Sequence, residues 1–240
     1  MVTPPDNDVL WARALRHSHQ GSPALLGVSI SVRAGEILAV AGARGAGKST
    51  LLHCLSGQLV PEEGEVWFNS APVHTLPEAA REALRRNRFG WVGAGAQLVP
   101  ELTGWENAAL PLLMRGDGHR TAKAAALEWL ERLDIGDVAR RRPAELVPSQ
   151  QQRIAVARAL VTGPDVVFAD EPTALLHRAD RAHLLRTLTS AARSHGITVV
   201  LGTADPETGR HADRTVTLVD GRPDTAASAR DRDLAAPASV

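Results

Sequence analysis

Short apolar runs recur along the chain and predict a series of strands. Val28–Val32 reads Val-Ser-Ile-Ser-Val, an alternation with a period of two that is typical of a strand with one buried face. Other runs are continuously apolar or short and bounded by turn residues, which indicates further strands, several of them buried on both faces. These predicted strands are Ile37–Ala41, Glu65–Phe68, Phe89–Val92, Val166–Ala169, Ile197–Leu201 and Thr215–Val219.

Segments with helical periodicity lie between these strands. The predicted helices are Ser49–Ser56, Glu78–Arg88, Trp105–Met114, Ala122–Leu133 behind the N-cap candidate Thr121, Gln150–Val161 and His177–His195. Ser149 to Gln152 fits S-x-x-Q, which predicts a capping box at the start of the fifth helix. Buried strands that alternate with helices predict an α/β fold with a mostly parallel sheet.

The distribution of these elements predicts the domain organisation. Strands and helices alternate over residues 9–93 and 162–222, which we expect to form one core domain, whereas residues 94–161 contain helices only and predict an inserted helical subdomain. Residues 223–240 consist of Ala, Ser, Asp and Arg without periodicity, and we predict a disordered tail there.

Composition excludes several classes of protein. Lys plus Arg and Asp plus Glu both number 27, so no net field directs the chain to nucleic acid. The single cysteine, Cys54, excludes an internal disulfide and is expected to be a small core residue. The sequence contains no secretory signal and no run of 18 apolar residues, and a cytoplasmic protein is expected.

A glycine loop follows the predicted strand Ile37–Ala41 and fits G-x-x-x-x-G-K-[ST]. Such a loop wraps its backbone N–H groups around the β-phosphate of a nucleotide, while the lysine bridges the β- and γ-phosphates and the serine ligates Mg²⁺. Lysine occurs only twice in this arginine-rich chain, which argues against a flexible glycine turn. The predicted nucleotide-binding residues are Gly42, Ala43, Arg44, Gly45, Ala46, Gly47, Lys48, Ser49 and Thr50.

Two carboxylates follow the buried strand Val166–Ala169. Asp170 is placed to hold Mg²⁺ through water, and Glu171 to polarise the water that attacks the γ-phosphate. Surface acids at a strand end are the alternative interpretation, which the upstream glycine loop disfavours.

The glycine loop, a glutamine-led helix and V-V-F-A-D-E-P-T occur in this order, and together they resemble the ATP-binding subunits of ABC transporters. Pro100–Asn107 and Leu110–Leu112 look most like the subunits that serve permeases of the lipoprotein-release and macrolide-export type. The resemblance implies a P-loop NTPase fold with a mixed, mostly parallel sheet, MgATP as ligand, and a membrane permease on a separate chain. It also implies a position at the inner face of the membrane through that permease, and a homodimer or heterodimer that holds ATP between two subunits.

The sequence departs from the family pattern where the second subunit touches the γ-phosphate. The family signature L-S-G-G-Q reads Leu146-Val147-Pro148-Ser149-Gln150 here. Val147 lacks the serine hydroxyl, Pro148 removes a backbone N–H donor, and Ser149 adds a Cβ at a glycine position. Retained γ-phosphate contact and a purely structural helix both remain open.

Other family positions differ as well. Aligned on the family, the Q-loop glutamine falls on Ala94, with Gln97 three residues later, and the switch histidine falls on Ala204. The D-loop aspartate falls on His177, and His19 is the nearest match to the aromatic residue that stacks on adenine. The resemblance therefore leaves two hypotheses: an energy-coupling ATPase with slow turnover, or a module that binds MgATP and a partner but hardly hydrolyses it. A GTPase is disfavoured because the chain has no N-K-x-D motif.

Overall fold

The computed structural model describes residues 8–224. Within that part of the chain, ten strands follow the order of the sequence: β1 Asp8–His19, β2 Ser22–Arg33, β3 Ile37–Ala41, β4 Glu63–Phe68, β5 Ala71–Pro72, β6 Phe89–Val92, β7 Val166–Asp170, β8 Thr198–Thr203, β9 Arg214–Val219 and β10 Arg222–Pro223.

Seven α helices accompany these strands in the same range. They are α1 Lys48–Leu55, α2 Glu78–Arg88, α3 Gly104–Arg115, α4 His119–Arg132, α5 Pro148–Leu160, α6 Arg178–His195 and α7 Pro206–Gly209. Two short 3₁₀ helices, Gly136–Val138 and Pro143–Glu145, precede α5. No helix among residues 8–224 combines the length and apolar character that crossing a bilayer requires.

The chain divides into two compact units, of which the first contains residues 8–82 and 200–224. Its antiparallel sheet has the strand order β2-β1-β4-β5, and its other strands have the order β10-β9-β3-β8. Strands β3 and β9 are parallel, with Leu38 opposite Arg214 and Ala41 opposite Thr217. Four of the five β3 side chains are fully buried, which explains their uninterrupted apolar run.

The second unit is Ala83–Val199. Strands β6 and β7 pair in parallel, and helices α3, α4 and α5 pack on one another beside them. A Cβ on Gly90 of β6 would lie only 2.4 Å from the carbonyl oxygen of Ala159, so glycine permits α5 to approach the sheet closely. The sequence-based division into a core and a helical subdomain remains a prediction.

The structure confirms the α/β class with a mixed sheet and corrects several details. Strand β1 was not predicted: four successive residues, Val9–Ala12, are buried, and a bulge at Ala14 (φ 49°) interrupts the alternation. Helix α4 begins at His119, with Gly118 rather than Thr121 at the N-cap. Pro223 belongs to β10, which corrects the predicted start of the disordered tail at position 223, and the prediction for residues 225–240 lies outside the described residues.

Cys54 is a core residue, as the sequence predicts. Its side chain is 1% exposed on the inner side of α1, and burial raises the pKa of the thiol to about 12. A thiol that remains protonated is a poor nucleophile and a poor metal ligand.

Candidate functional site

The glycine loop, residues 42–47, joins β3 to α1 in the first unit. The Gly42 N–H donates to the carbonyl oxygen of Thr203 over 3.2 Å, which anchors the start of the loop to the end of β8. A Cβ on Gly47 would lie 2.3 Å from the carbonyl oxygen of Ala24, and its φ of 98° is one that L side chains rarely adopt. Glycine is therefore required where the loop enters α1.

Lys48 folds back over this loop. Its Nζ donates to the carbonyl oxygens of Gly42 at 2.9 Å and Ala43 at 3.0 Å, and the residue is only 5% exposed. The first turn of α1 contains no acidic residue, so the positive end of the helix dipole and the Lys48 ammonium form one positive region. Such a region can hold the phosphates of a nucleotide.

Two further predicted residues meet beside α1. Thr50 lies in the first turn and is 7% exposed, and its Oγ1 is 3.0 Å from Nε2 of His19. The first unit thus brings His19 together with the predicted loop residues 42–50.

The two predicted carboxylates lie in the second unit, at the end of β7. Asp170 Oδ1 is buried and has no hydrogen-bond partner among the described residues. Burial of an unpaired carboxylate oxygen is costly, so this oxygen suits an additional ligand such as a hydrated cation. Glu171 follows with a φ of 50°, a conformation that is uncommon for residues other than glycine.

The start of α5 differs from its predicted capping box. Pro148, not Ser149, opens the helix, because proline suits the first position, where an N–H would have no partner. The Val147 N–H donates to Oε1 of Gln150 over 3.2 Å, so the glutamine side chain caps the helix. Val147 has no hydroxyl that could complete a capping box. The Val147 side chain is 56% exposed, whereas Ser149 is only 8% exposed. The predicted box at Ser149 is therefore wrong.

Two side chains of α5 that sequence reasoning missed fix the loop that follows β6. The Gln152 Nε2 donates to the carbonyl oxygen of Gly93 over 2.7 Å, and Arg158 donates to the carbonyl oxygens of Ala96 at 2.8 Å and Gln97 at 2.9 Å. Burial lowers the pKa of the Arg158 guanidinium. The sequence does place Gln152 and Arg158 as polar residues on a largely buried helix. Because buried polar groups are normally hydrogen-bonded, this pattern could have indicated that both side chains have partners.

Of the three remaining family positions, two carry alanine, whose side chain has no polar atom. Ala94 is exposed in the loop after β6, and Ala204 is exposed directly after β8. His177 is exposed at the N-cap of α6, where its side chain makes no capping hydrogen bond.

Comparison with known proteins identifies the family of the chain. Residues 25–174 match the model of the ABC transporter family, which is more than half of the chain. The chain is 38% identical over 227 residues to the lipoprotein-releasing system ATP-binding protein LolD of Bordetella pertussis, covering 92% of this chain and 98% of LolD. It is 39% identical over 198 residues to the ABC transporter ATP-binding protein YbbA of Escherichia coli K12, covering 82% of this chain and 87% of YbbA.

Among solved structures, the chain resembles the dimeric ATP-binding cassette MJ0796 in its post-hydrolysis state with ADP and Pi. The TM-score is 0.82 at 30% identity, over 90% of this chain and 96% of the cassette. The family match, the relatives and the folded phosphate loop agree, and the chain belongs to the ABC transporter family as one of its ATP-binding subunits.

Proposed function

We propose that this subunit binds MgATP on the loop of residues 42–49 and couples slow hydrolysis of the nucleotide to a membrane permease on a separate chain. One observation supports the proposal that the subunit binds a nucleotide. The Lys48 ammonium is held over the loop by two carbonyl oxygens, next to a helix start without acidic residues. Phosphate oxygens can replace those carbonyl oxygens as acceptors for the same ammonium.

The described residues support Mg²⁺ as the cation. No group of three His, Cys, Asp or Glu side chains among residues 8–224 could hold a metal by itself. Mg²⁺ is commonly held by one or two protein oxygens, substrate phosphates and water, which fits the proposed ligands Ser49 and Asp170. The unpaired buried Oδ1 of Asp170 is available for that role.

Slow turnover follows from the residues that face the γ-phosphate in the family. Glu171 is retained as the proposed water-polarising base, but Ala94 and Ala204 have no polar side-chain atom. An isopropyl side chain at Val147 and a proline without an N–H at 148 remove two more donors. We infer that the chain pairs with itself or with another ABC ATPase, and neither pairing supplies every family group.

Calorimetry with MgATP tests the nucleotide site. We expect micromolar affinity for the unaltered chain and at least about tenfold weaker binding for Lys48→Ala, because the loss of a charge-assisted hydrogen bond has an effect of that order. The control is Lys123→Ala: this second lysine lies 4.8 Å from the centre of the Trp105 ring in the second unit, and we expect unchanged affinity. If unaltered chain and Lys48→Ala bind MgATP equally, or neither binds it, the proposed function is wrong.

A groove in the second unit is the proposed docking site for the permease. It has a volume of about 300 Å³ and is lined by apolar side chains from β6 and α3 between arginines, among them Trp91, Leu110, Pro111, Met114, Arg86 and Arg158. Met114 is 72% exposed and extends the apolar surface of the groove. An amphipathic helix with an acidic residue fits both the apolar surface and the arginines. Such docking would hold the subunit at the inner face of the membrane.

Arg158 connects this groove with the loop after β6, since it lines the groove and also donates to the carbonyl oxygens of Ala96 and Gln97. A helix that enters the groove can therefore shift that loop through a single side chain.

Co-purification with the proposed permease tests the docking site. We expect Met114→Glu to reduce the recovered permease at least about tenfold, because a carboxylate placed among apolar contacts must lose its hydration. Val60→Glu changes another exposed apolar residue, 43% exposed, that does not line the groove, and we expect full recovery. Equal recovery of the permease with both variants would place the docking site elsewhere.

A subunit that binds MgATP without turning it over is the second candidate, and Ala94 and Ala204 favour it. It predicts phosphate release at background level, even when the permease and a partner ATPase are present.

A further inference from the structure

A polar cavity lies in the second unit, between the end of α4 and one side of α6. Its volume is about 560 Å³, within the range of sites that bind small molecules. Among residues 8–224, no carboxylate lines it, and Ala191 is its only apolar residue. The other lining residues all carry a basic group or a hydroxyl: Arg132, His183, Arg186, Thr187, Ser190, Ser194 and His195. This lining favours an anionic ligand.

The polar residues of α6 recur at the spacing of one helix face. His183, Arg186, Ser190 and Ser194 follow one another at intervals of three or four residues, which places them on the same side of the helix. The opposite side is largely apolar and buried, through Leu184, Leu185, Leu188 and Ala192. A polar outer face is ordinary for a surface helix, so this pattern alone indicates no ligand. The hydrogen-bond donors on the face decide.

Arg186 and Ser190 provide those donors. Arg186 is exposed, and neither its guanidinium nor the Ser190 hydroxyl makes a hydrogen bond or an ion pair with another residue of the described range. The hydroxyls of Thr187 and Ser194 differ, because they donate to carbonyl oxygens of α6 at 2.9 to 3.0 Å. Arg186 and Ser190 are four residues apart on one helix, so both can reach the same ligand.

Arg132 lines the cavity from α4 in a fixed orientation. Its Nη2 donates to Oε1 of Glu128 at 2.5 Å, its Nη1 donates to Nε2 of His195, and its guanidinium carbon lies 5.2 Å from the centre of the Trp129 ring. A guanidinium has five N–H groups, and these two bonds use two of them. The ion pair with Glu128 is exposed to solvent and therefore weak. Arg132 thus offers further donors that binding does not have to order.

The two histidines support this arrangement rather than bind the ligand. Nδ1 of His195 lies 2.9 Å from the carbonyl oxygen of Ala191, which can only accept, so Nδ1 carries the proton of the neutral ring. Nε2 then accepts from Arg132. Nε2 of His183 lies 3.4 Å from Oδ2 of Asp134 and belongs to that pair. The positive charge of the lining thus comes from its two arginines.

We propose that this cavity binds a small soluble phosphate compound, a phosphate monoester or inorganic phosphate, through Arg132, Arg186 and Ser190. The planar fork of an arginine matches two phosphate oxygens, and a phosphate monoester carries about two negative charges near neutral pH, one for each arginine. It has three terminal oxygens for three donor groups, whereas a carboxylate has two oxygens and one charge. This inference does not rest on the proposed function, because the cavity belongs to the second unit and the phosphate loop to the first.

Calorimetry with inorganic phosphate and with glycerol 3-phosphate tests the cavity. The titrations use the full chain with Lys48→Ala, which weakens the phosphate loop as a competing site for the same ions. We expect saturable binding of both compounds, and at least about tenfold weaker binding after Arg186→Ala, as for lost hydrogen bonds between charged groups. Arg186→Lys retains the charge without the fork and should have an intermediate affinity. Ser190→Ala should weaken binding at least about threefold.

Arg120→Ala is the matched control, because Arg120 is another exposed helical arginine of the second unit and does not line the cavity. Its affinity for both compounds should be unchanged. NMR of the imidazole nitrogens locates the ligand: phosphate should shift the signals of His195, since it binds the Arg132 guanidinium beside that ring. The signals of His74, whose Nδ1 lies 3.0 Å from the Val66 carbonyl oxygen in the first unit, should not move.

Three results would overturn the inference. They are the absence of saturable binding for both compounds, equal phosphate affinities of Arg186→Ala and Arg120→Ala, and acetate binding as tight as that of phosphate. In the chain that retains Lys48, Arg186→Ala should keep its MgATP affinity, so a failure of the cavity leaves the nucleotide site standing. Conversely, phosphate binding that Arg186→Ala abolishes would stand even if the unaltered chain bound no MgATP.

Discussion

Reintroducing the missing γ-phosphate contacts is expected to raise the ATP turnover of this subunit at least about a hundredfold, because one such transition-state donor is commonly worth that factor. The substitutions are Ala94→Gln, Ala204→His and, in the signature, Val147→Ser, Pro148→Gly and Ser149→Gly. Ala94 and Ala204 are exposed, so larger side chains fit there without repacking the core. Phosphate release from the purified subunit gives the rate, before and after the five changes.

The five substitutions are expected to act together. Ala94→Gln with Ala204→His leaves the weak signature at 146–150 unchanged. The three signature changes alone leave the Q-loop glutamine and the switch histidine absent. Groups that complete one catalytic unit show strongly non-additive effects, so each subset should yield much less than the full set. Ala144→Gln with Ala34→His makes the same chemical changes at other exposed alanines and should leave turnover unchanged. A fully substituted chain that is no faster than the original would show that another feature limits its chemistry.

The phosphate loop could be predicted from sequence because its requirements are local. The glycines, Lys48 and Ser49 have fixed spacing between a buried strand and a helix, and the structure forms both elements there, at Ile37–Ala41 and Lys48–Leu55. Helix α2 and strand β6 begin and end where their patterns predict. In each case, the information lies within about a dozen neighbouring residues, which is the range of helix and strand periodicity.

Features that depend on residues distant in sequence could not be predicted. Strand β1 does not alternate because Val9–Ala12 are buried on both faces of the sheet and a bulge follows at Ala14. Arg158 meets the carbonyl oxygens of Ala96 and Gln97 across about 60 positions of the chain, and no local pattern specifies that contact. The bond between His19 and Thr50 likewise exists only after the β1–β2 hairpin lies against α1.

Glu171 is the residue that decides between an ATPase and a binding module. In the chain that carries the five changes, Glu171→Gln is expected to reduce turnover at least about a hundredfold, because a positioned general base contributes a factor of that order or more. The amide has the shape of the carboxylate but accepts no proton from the attacking water. Like glutamate, glutamine has a Cβ, so the backbone strain at φ 50° is the same in both chains. MgATP affinity should therefore remain within about threefold, since the loop and Asp170 are unchanged.

The same exchange at Glu101, an exposed glutamate before α3, is the matched control and should leave turnover at its original value. Single-turnover hydrolysis and MgATP calorimetry on the same samples separate chemistry from binding. In the unaltered chain, Glu171→Gln should abolish whatever slow phosphate release is present, because a base that acts at all acts on the same water. If release persists unchanged in both backgrounds, Glu171 activates no water. The retained carboxylate would then serve the fold at the end of β7, and the subunit would use ATP as a ligand rather than as a substrate.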